Sequence, residues 1–348
     1  MPVPLHLLRA SHLSPIIMHM RMLSMPVDSL LEQAGLSIAL LSDPNKLILE
    51  SKFWLFLGAA AELRGMSHLG SWVTERSDLL QYGKFAELLL ASENLYQALQ
   101  LLISHINLHN NNNDVWLEEE EECVWICRLV YSYDKSGRWQ IEQHIMSFIC
   151  LLIEHYAGSN WQPQKVKFQD SGGIGYDQSR FFKHAEIKLG NQHSAIAISH
   201  SLLKERKLSA EVIIPAELNT IPVSFTGCLK LLLKQNYFGR DWLAENIADT
   251  LGMSVRTLKR KLHAKGTSLR EVFDEVRFQQ ACDLIDQDIH DYESLAENLS
   301  YTHPNNFVRA FKRWSGITPR EYIRLQNIEL LNKNDNSELQ TNEVNESN

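Results

Sequence analysis

Long hydrophobic runs are missing from this chain. Its two most apolar stretches, 53–61 and 145–153, end after nine residues, about half of the roughly 18 that a membrane-crossing helix requires. No membrane span is expected. The opening stretch MPVPLHLLRASHLSPIIMHMRML scatters polar and basic residues among apolar ones, without the charged, apolar, small-residue order of a secretion signal, so the chain reads as cytoplasmic. Cysteine is sparse, with five residues at 123, 127, 150, 228 and 282. An odd number without a CxxC pair speaks against a disulfide framework or a zinc motif and for reduced, buried thiols.

Catalytic signatures are missing as well. His105 and His109 stand four apart, a spacing that can chelate a metal on a helix, yet no HExxH and no third ligand lie nearby, and the pair reads as a surface helix end. GGIG at 172–175 lacks the Lys and the Ser or Thr of a phosphate loop and reads as a turn. Cys123 and Cys127 fall in a predicted hairpin as packing residues. No nucleophile with an evident base can be named, so no catalytic residue, metal or cofactor is assigned, and the chain is not read as an enzyme.

An excess of positive charge is absent too: the net charge is −8, which by itself argues against nonspecific nucleic-acid affinity. The average hides its distribution. Residues 231–325 carry 14 Lys and Arg against 13 Asp and Glu, while 326–348 carry one Lys against five acids.

What is present is enough chain for about two domains, 348 residues of ordinary globular composition with 44% hydrophobic and 22% charged. From Asp28 to about Gln100 the apolar spacing is helical, as in KLILESKFWLFLGAAAELRG. HNNNND at 109–114 is a loop, VWLEEEEECVWICRLVYSYD a strand hairpin, IEQHIMSFICLLIEHYAG a helix, and KVKF alternates like a strand. The apolar stripes at 53–61 and 139–156 read as core, and no effector contact is named from them. Residues 1–206 thus form an α+β domain. The two prolines and lost periodicity of 207–223 mark a linker, 224–326 read as all helix, and the polar segment 327–348 as a disordered tail.

The helical end carries the function. In RDWLAENIADTLGMSVRTLKRKLHAKG, Asp241 caps a helix with the stripe Leu243, Ile247 and Leu251, Gly252 ends it, and Ser254 caps a second helix. There Val255, Leu258 and Leu262 face inward, leaving Arg256, Lys259, Arg260 and His263 on the opposite stripe. A lone charge run is often just a solvated face. Here the pattern comes twice: about fifty residues on, DYESLAENLSYTHPNNFVRAFKRWSG places Leu295, Ala296 and Leu299 on one helix, Thr302 as the next cap, Phe307 and Phe311 inward, and Asn305, Val308, Arg309 and Lys312 outward. Arg can pair with guanine, Asn with adenine, and Val can touch a thymine methyl in the major groove. Between the copies, Ser268 and Glu271 have capping-box spacing at the head of a spacer helix. After them, Thr318, Pro319 and Glu321 supply a cap, a first-turn proline and a box partner.

The run LAxxLGMSxRTLxRKLxxxGTSxxExxxExR, followed by FxRAFKRWSGITPxEY, resembles the DNA-binding module of AraC/XylS regulators over about residues 230–325. The resemblance implies base readers at Arg256, Lys259 and Arg260 and at Asn305, Val308 and Arg309, with phosphate contacts at Ser254, Thr257, Lys312 and Arg313. Ser300 and Tyr301 stand where the family commonly has Gly and Phe, so a left-handed or altered second turn is expected. Residues 20–206 are similar to the arabinose-binding-like effector and dimerisation domain of ornithine-utilisation-regulator-type members, carried by LLEQAGL, SENLYQALQLL and the hairpin, helix and KVKF succession. The resemblance implies a homodimer that binds promoter DNA, meets RNA polymerase and answers an unidentified small-molecule effector, more often as an activator than a repressor. Two other readings stand beside it: an enzyme using the module only for targeting, and an adaptor whose second unit no longer reads DNA.

Overall fold

The computed structural model describes residues 5–41, 43–130, 137–203, 214–215, 218–235 and 242–326. The chain separates into two compact units, 1–235 and 236–348. The expected cap Asp241 and the tail 327–348 lie outside the described residues.

In the first unit, strands β1 (Leu7–Arg9) and β2 (Leu47–Leu49) pair antiparallel with Leu7 opposite Leu49. Helices α1 (Leu13–Met22), α2 (Val27–Gln33) and α3 (Ile38–Leu41) lie between them in sequence, and α4 (Glu50–Arg64), α5 (Leu69–Thr74), α6 (Lys84–Leu90) and α7 (Leu95–His105) follow. α7 is the helix expected around SENLYQALQLL, and Asn94 caps it by accepting from the Gln97 amide at 2.9 Å. Next come the hairpin β3 (Asn113–Glu119) and β4 (Val124–Val130), helix α8 (Arg138–Ala157), and strands β5 (Lys165–Lys167), β6 (Glu186–Lys188) and β7 (Ser194–Ile198). The five strands lie in the order β3-β4-β7-β5-β6, antiparallel throughout except for the β5/β6 pair. One face of the sheet gives Val124, Ile126, Val166, Ile196 and Ile198 to a core shared with α6, α7 and α8. The other face carries Trp116, Cys123, Trp125, Cys127, Ala195 and Ala197.

Helix α8 is the axis of this unit and is not the plain apolar helix its spacing suggests. Gln140, Glu142, Gln143, His144 and Ser147 are all buried. Gly70 makes this possible on one side: a Cβ there would lie 1.9 Å from the Gln140 carbonyl oxygen, so α5 approaches α8 backbone to backbone. The Gln140 side chain then accepts from the Gly70 amide at 2.9 Å, and Gln143 accepts from Ser71 Oγ at 3.1 Å. Thr74 Oγ1 meets His144 Nδ1 at 2.7 Å, His144 Nε2 meets His12 Nδ1 at 3.3 Å, and His12 Nε2 contacts His109 Nε2. Beside this chain of imidazoles lie the buried Glu50, hydrogen-bonded by Asn112, and the buried Arg128. Burial disfavours charge here. It drives His12 down to about 3, His109 and His144 well below the usual imidazole value, and Glu50 up to about 7.

Two expectations need correction. His109 is not at a surface helix end: α7 stops at His105, a short turn over Ile106–Leu108 bends the chain inward, and His109 becomes 5% exposed, stacked on Phe85. The first unit also does not end at 206 with a free linker after it. Leu218 and Ile221 are buried, the Ile221 amide donates to the Asn107 carbonyl at 2.8 Å, and Arg9 donates to the Asn219 carbonyl at 2.9 Å. Helix α9 (Phe225–Lys234) follows, and Gln235 bonds both backbone groups of Leu47, so this helix belongs to the first unit and not to the DNA-binding module. Its strong apolar face needs a core to cover it, and β2 packs against it.

The second unit is helical: α10 (Ala244–Thr250), α11 (Val255–His263), α12 (Leu269–Asp286), α13 (Tyr292–Asn298), α14 (Pro304–Ser315) and a closing helix over 319–326. Ser268 and Glu271 form the expected capping box at the head of α12, and Thr318 and Glu321 form another before the closing helix. At about 1.5 Å per residue, the 18 residues of α12 make a rod about 27 Å long.

Candidate nucleic-acid interface

Two helix-turn-helix units repeat along the second unit, and their turns match bond for bond. After α10, Gly252 adopts φ +65°, its amide donates to Asp249 O at 2.9 Å and that of Met253 to Ala248 O at 2.9 Å. After α13, Ser300 adopts φ +60°, its amide donates to Glu297 O at 3.0 Å and that of Tyr301 to Ala296 O at 2.8 Å. The second turn therefore keeps the geometry of the first, at the cost of a serine in a conformation that glycine adopts freely. Ile247 and Ala248 are buried beside the turn of the first helix-turn-helix, as Leu295 and Ala296 are beside that of the second. Leu243, expected in the first stripe, sits at the N-cap of α10 and is 54% exposed, because the helix starts at Ala244, two residues later than a cap at Asp241 implies.

Ser254 caps α11, its Oγ accepting from the Thr257 amide at 3.1 Å and meeting Thr257 Oγ1 at 3.0 Å. Leu258 and Leu262 are fully buried, which turns Arg256, Lys259, Arg260 and His263 to solvent on one stripe. In α14 the N-cap is His303 and not Thr302. The residue before a proline favours extended backbone; His303 has φ −145° and ψ 140°, and Pro304 fills the first helical position, where a missing N–H costs nothing. The second loop is thus one residue longer. Phe307 and Phe311 are fully buried where Leu258 and Leu262 stand in the first helix-turn-helix.

Asn305, Arg309, Lys312 and Arg313 are exposed on α14, whereas Val308 is half-buried and packs on the core formed by Ala281, Ile285, Leu295 and the two phenylalanines. Arg309 donates to Asn306 Oδ1 at 2.7 Å, and Arg313 to Asp274 Oδ1 of α12 at 2.7 Å. The charge is sorted by helix. α11 and α14 contain no acidic residue, while α10 carries Glu245 and Asp249 and α13 carries Glu293 and Glu297. Near-neutral composition thus coexists with two basic helix faces, the arrangement that phosphate attraction requires.

The sequence reading missed a second source of positive charge. An open groove of about 660 Å³ beside α12 and α14 is lined by Arg270, Arg277, Arg309 and Arg313 together with Asp274 and Tyr301. The Arg277 guanidinium stacks over Trp242 at 4.9 Å and faces Tyr301 at 5.6 Å, which holds it in place. Arg270 and Arg277 lie seven apart on one face of the spacer helix, a signal readable in SLREVFDEVR had that helix been considered as more than a spacer.

Residues 25–206 match the family described as the arabinose-binding domain of AraC transcription regulator, N-terminal part, and residues 247–325 match a helix-turn-helix domain family. An uncharacterised HTH-type transcriptional regulator of Mycobacterium bovis is 39% identical over 79 residues, 23% of each chain. Transcriptional regulator SirC of Salmonella typhimurium is 34% identical over 88 residues, 25% of this chain and 30% of its own. HTH-type transcriptional regulator GadX of Escherichia coli is 30% identical over 119 residues, 34% of this chain and 43% of its own. These matches span less than half of each relative. A solved structure of transcriptional regulator CdpR from Pseudomonas aeruginosa aligns over 86% of this chain and 96% of its own at 19% identity, with a TM-score of 0.37 that is too low to bear on the fold. The matched families and relatives are transcription regulators and not enzymes. With its N-terminal match covering more than half of the sequence and a helix-turn-helix module behind it, the chain belongs to the AraC family of transcription regulators.

Proposed function

We propose that this chain is a cytoplasmic, homodimeric activator that reads promoter DNA with α11 and α14 and responds to a small-molecule effector held by its first unit. The observation that carries the reading is the acid-free, solvent-facing stripe on the second helix of each helix-turn-helix. In it, Arg256, Lys259 and Arg260 of α11 and Asn305 and Arg309 of α14 read base edges, and Val308 touches a thymine methyl from the edge of its core. Ser254, Thr257, Lys312 and Arg313 hold phosphates, the first two from the N-terminus of α11, where backbone N–H groups favour anions. Effector binding shifts the population of the DNA-competent dimer, which then engages RNA polymerase.

The test is to incubate the purified chain with fragmented DNA from its own source, wash at near-physiological salt and sequence what remains. The expected result is enrichment of a few promoter fragments that share direct half-sites about one helical turn apart. Absence of enrichment, with and without cell extract to supply an effector, overturns the reading.

A further inference from the structure

The outer face of the five-stranded sheet gathers three different metal-binding side chains that DNA reading does not use. Cys127 on β4 lies directly between Trp116 on β3 and Ala195 on β7 in the strand register. Glu118 stands two residues along β3 from Trp116, and His193 two residues before Ala195, so the period-two alternation of strands brings all three side chains to one face. The ligand atoms, one carboxylate oxygen, one thiol sulfur and one imidazole nitrogen, all lie within 4.8 Å of one another. His193 Nε2 is 3.8 Å from Glu118 Oε2. A tetrahedral ion with metal to N or O distances near 2.0 Å and metal to S near 2.3 Å would set its ligand atoms about 3.3–3.6 Å apart, so small side-chain rotations close the set.

We propose that Glu118, Cys127 and His193 form a binding site for one divalent ion of the zinc class, with the fourth position open to water or an exogenous ligand. Three features beyond the residue types support it. His193 Nε2 is shielded from solvent and has no hydrogen-bond partner among the described residues, an arrangement that a metal would satisfy. Trp116 acts as an outer support: its Nε1 donates to Glu118 Oε1 at 2.8 Å and its ring sits edge-on to His193 at 5.0 Å, so one side chain orients two ligands. Access also exists, because Cys127 is buried while the Glu118 side chain is 41% exposed and that of His193 is 23% exposed. The mixture of thiolate, imidazole and carboxylate favours zinc over hard ions such as magnesium or calcium.

Binding removes one proton. The Cys127 thiol releases its proton to solvent as sulfur bonds to the metal. The ion would tie together β3, β4 and the approach to β7, three neighbouring strands of the first unit.

The experiment uses the untagged full-length chain, stripped with a chelator and titrated with Co²⁺ and then Zn²⁺. The expected result is one Co²⁺ per chain with a near-ultraviolet thiolate-to-cobalt absorption band that Zn²⁺ abolishes. Cys127→Ser removes the band, His193→Ala and Glu118→Gln weaken binding tenfold or more, and Cys123→Ser, a change at a neighbouring thiol on the same face, leaves it intact. Absence of the band in the natural chain overturns the site, as does a band that survives Cys127→Ser or disappears in Cys123→Ser. Should Cys127→Ser fail to fold, Glu118→Gln decides, since that partly exposed side chain can change without opening the core; unchanged affinity there refutes the site.

Discussion

Three imidazoles buried without charge make the first unit sensitive to acid, and the size of that effect can be worked out. In the unfolded chain each histidine takes up a proton near pH 6.5. In the folded chain His12 does so only near pH 3, and His109 and His144 are likewise driven far down, burial being the main cause in all three. The unfolded state therefore binds more protons throughout the window between the two values, and stability falls as the pH drops through 6.5. Between pH 7.5 and 5.5 each such histidine costs on the order of 1 kcal/mol. Glu50 works against this. Its folded value of about 7 lies above the unfolded one, so the folded state takes up that proton first and gains about 2 kcal/mol over the same window. His6, lowered to about 4 by burial, adds to the loss, and Glu75 and Glu142, raised by burial, subtract from it, so the expected net result is a loss of stability on the order of a few kcal/mol. Urea unfolding followed by tryptophan fluorescence at three pH values measures it, because six of the eight tryptophans lie in the first unit. His144→Gln lowers stability at every pH by disturbing Thr74 and His12, yet it should also flatten the pH dependence by on the order of 1 kcal/mol over that window. A slope identical to that of the natural chain would refute the claim that His144 is held neutral.

The paired turns predict opposite outcomes. Gly252→Ala meets no atom within 4 Å, so its expected destabilisation of about 1 kcal/mol is conformational alone, whereas Ser300→Gly relieves the left-handed serine and should stabilise; thermal unfolding of each variant checks the signs. Arg260→Ala is expected to weaken binding at a mapped site by about 1–3 kcal/mol, and equal affinity in a gel-shift titration would remove Arg260 from the base-reading face. Asp274→Asn releases Arg313 from its 2.7 Å ion pair. The prediction there is tighter binding to any DNA sequence, with the slope of log affinity against log salt steeper by about one, and an unchanged slope would show that Arg313 meets no phosphate.

The helix-turn-helix part was legible in the sequence because its information is local. Capping residues at Ser254, Ser268 and Thr318, the glycine at 252, and apolar spacing three and four apart determine helix boundaries and inward faces without reference to distant residues. Where a boundary moved, as from Thr302 to His303, the deciding force was again local, the proline that follows. The sequence also displayed the basic stripes, since Leu258, Leu262, Phe307 and Phe311 leave Arg256, Lys259, Arg260, Asn305 and Arg309 only the outer surface.

Tertiary structure alone decided the rest. That Arg313 meets Asp274 and that Arg277 lies over Trp242 depends on how α12 packs against its neighbours. That α9 completes the first unit depends on Gln235 reaching Leu47, 188 residues earlier. The polar row of α8 reads as apolar helix in sequence because its partners, Gly70, Ser71, Thr74, His12 and Ser194, come from three other segments. In the same way Glu118, Cys127 and His193 become neighbours only through strand register, which brings residues 66 positions apart onto adjacent strands of one face. Local propensity writes helices and turns into the sequence, whereas contacts between distant segments exist only once the chain has closed its loops and buried its core.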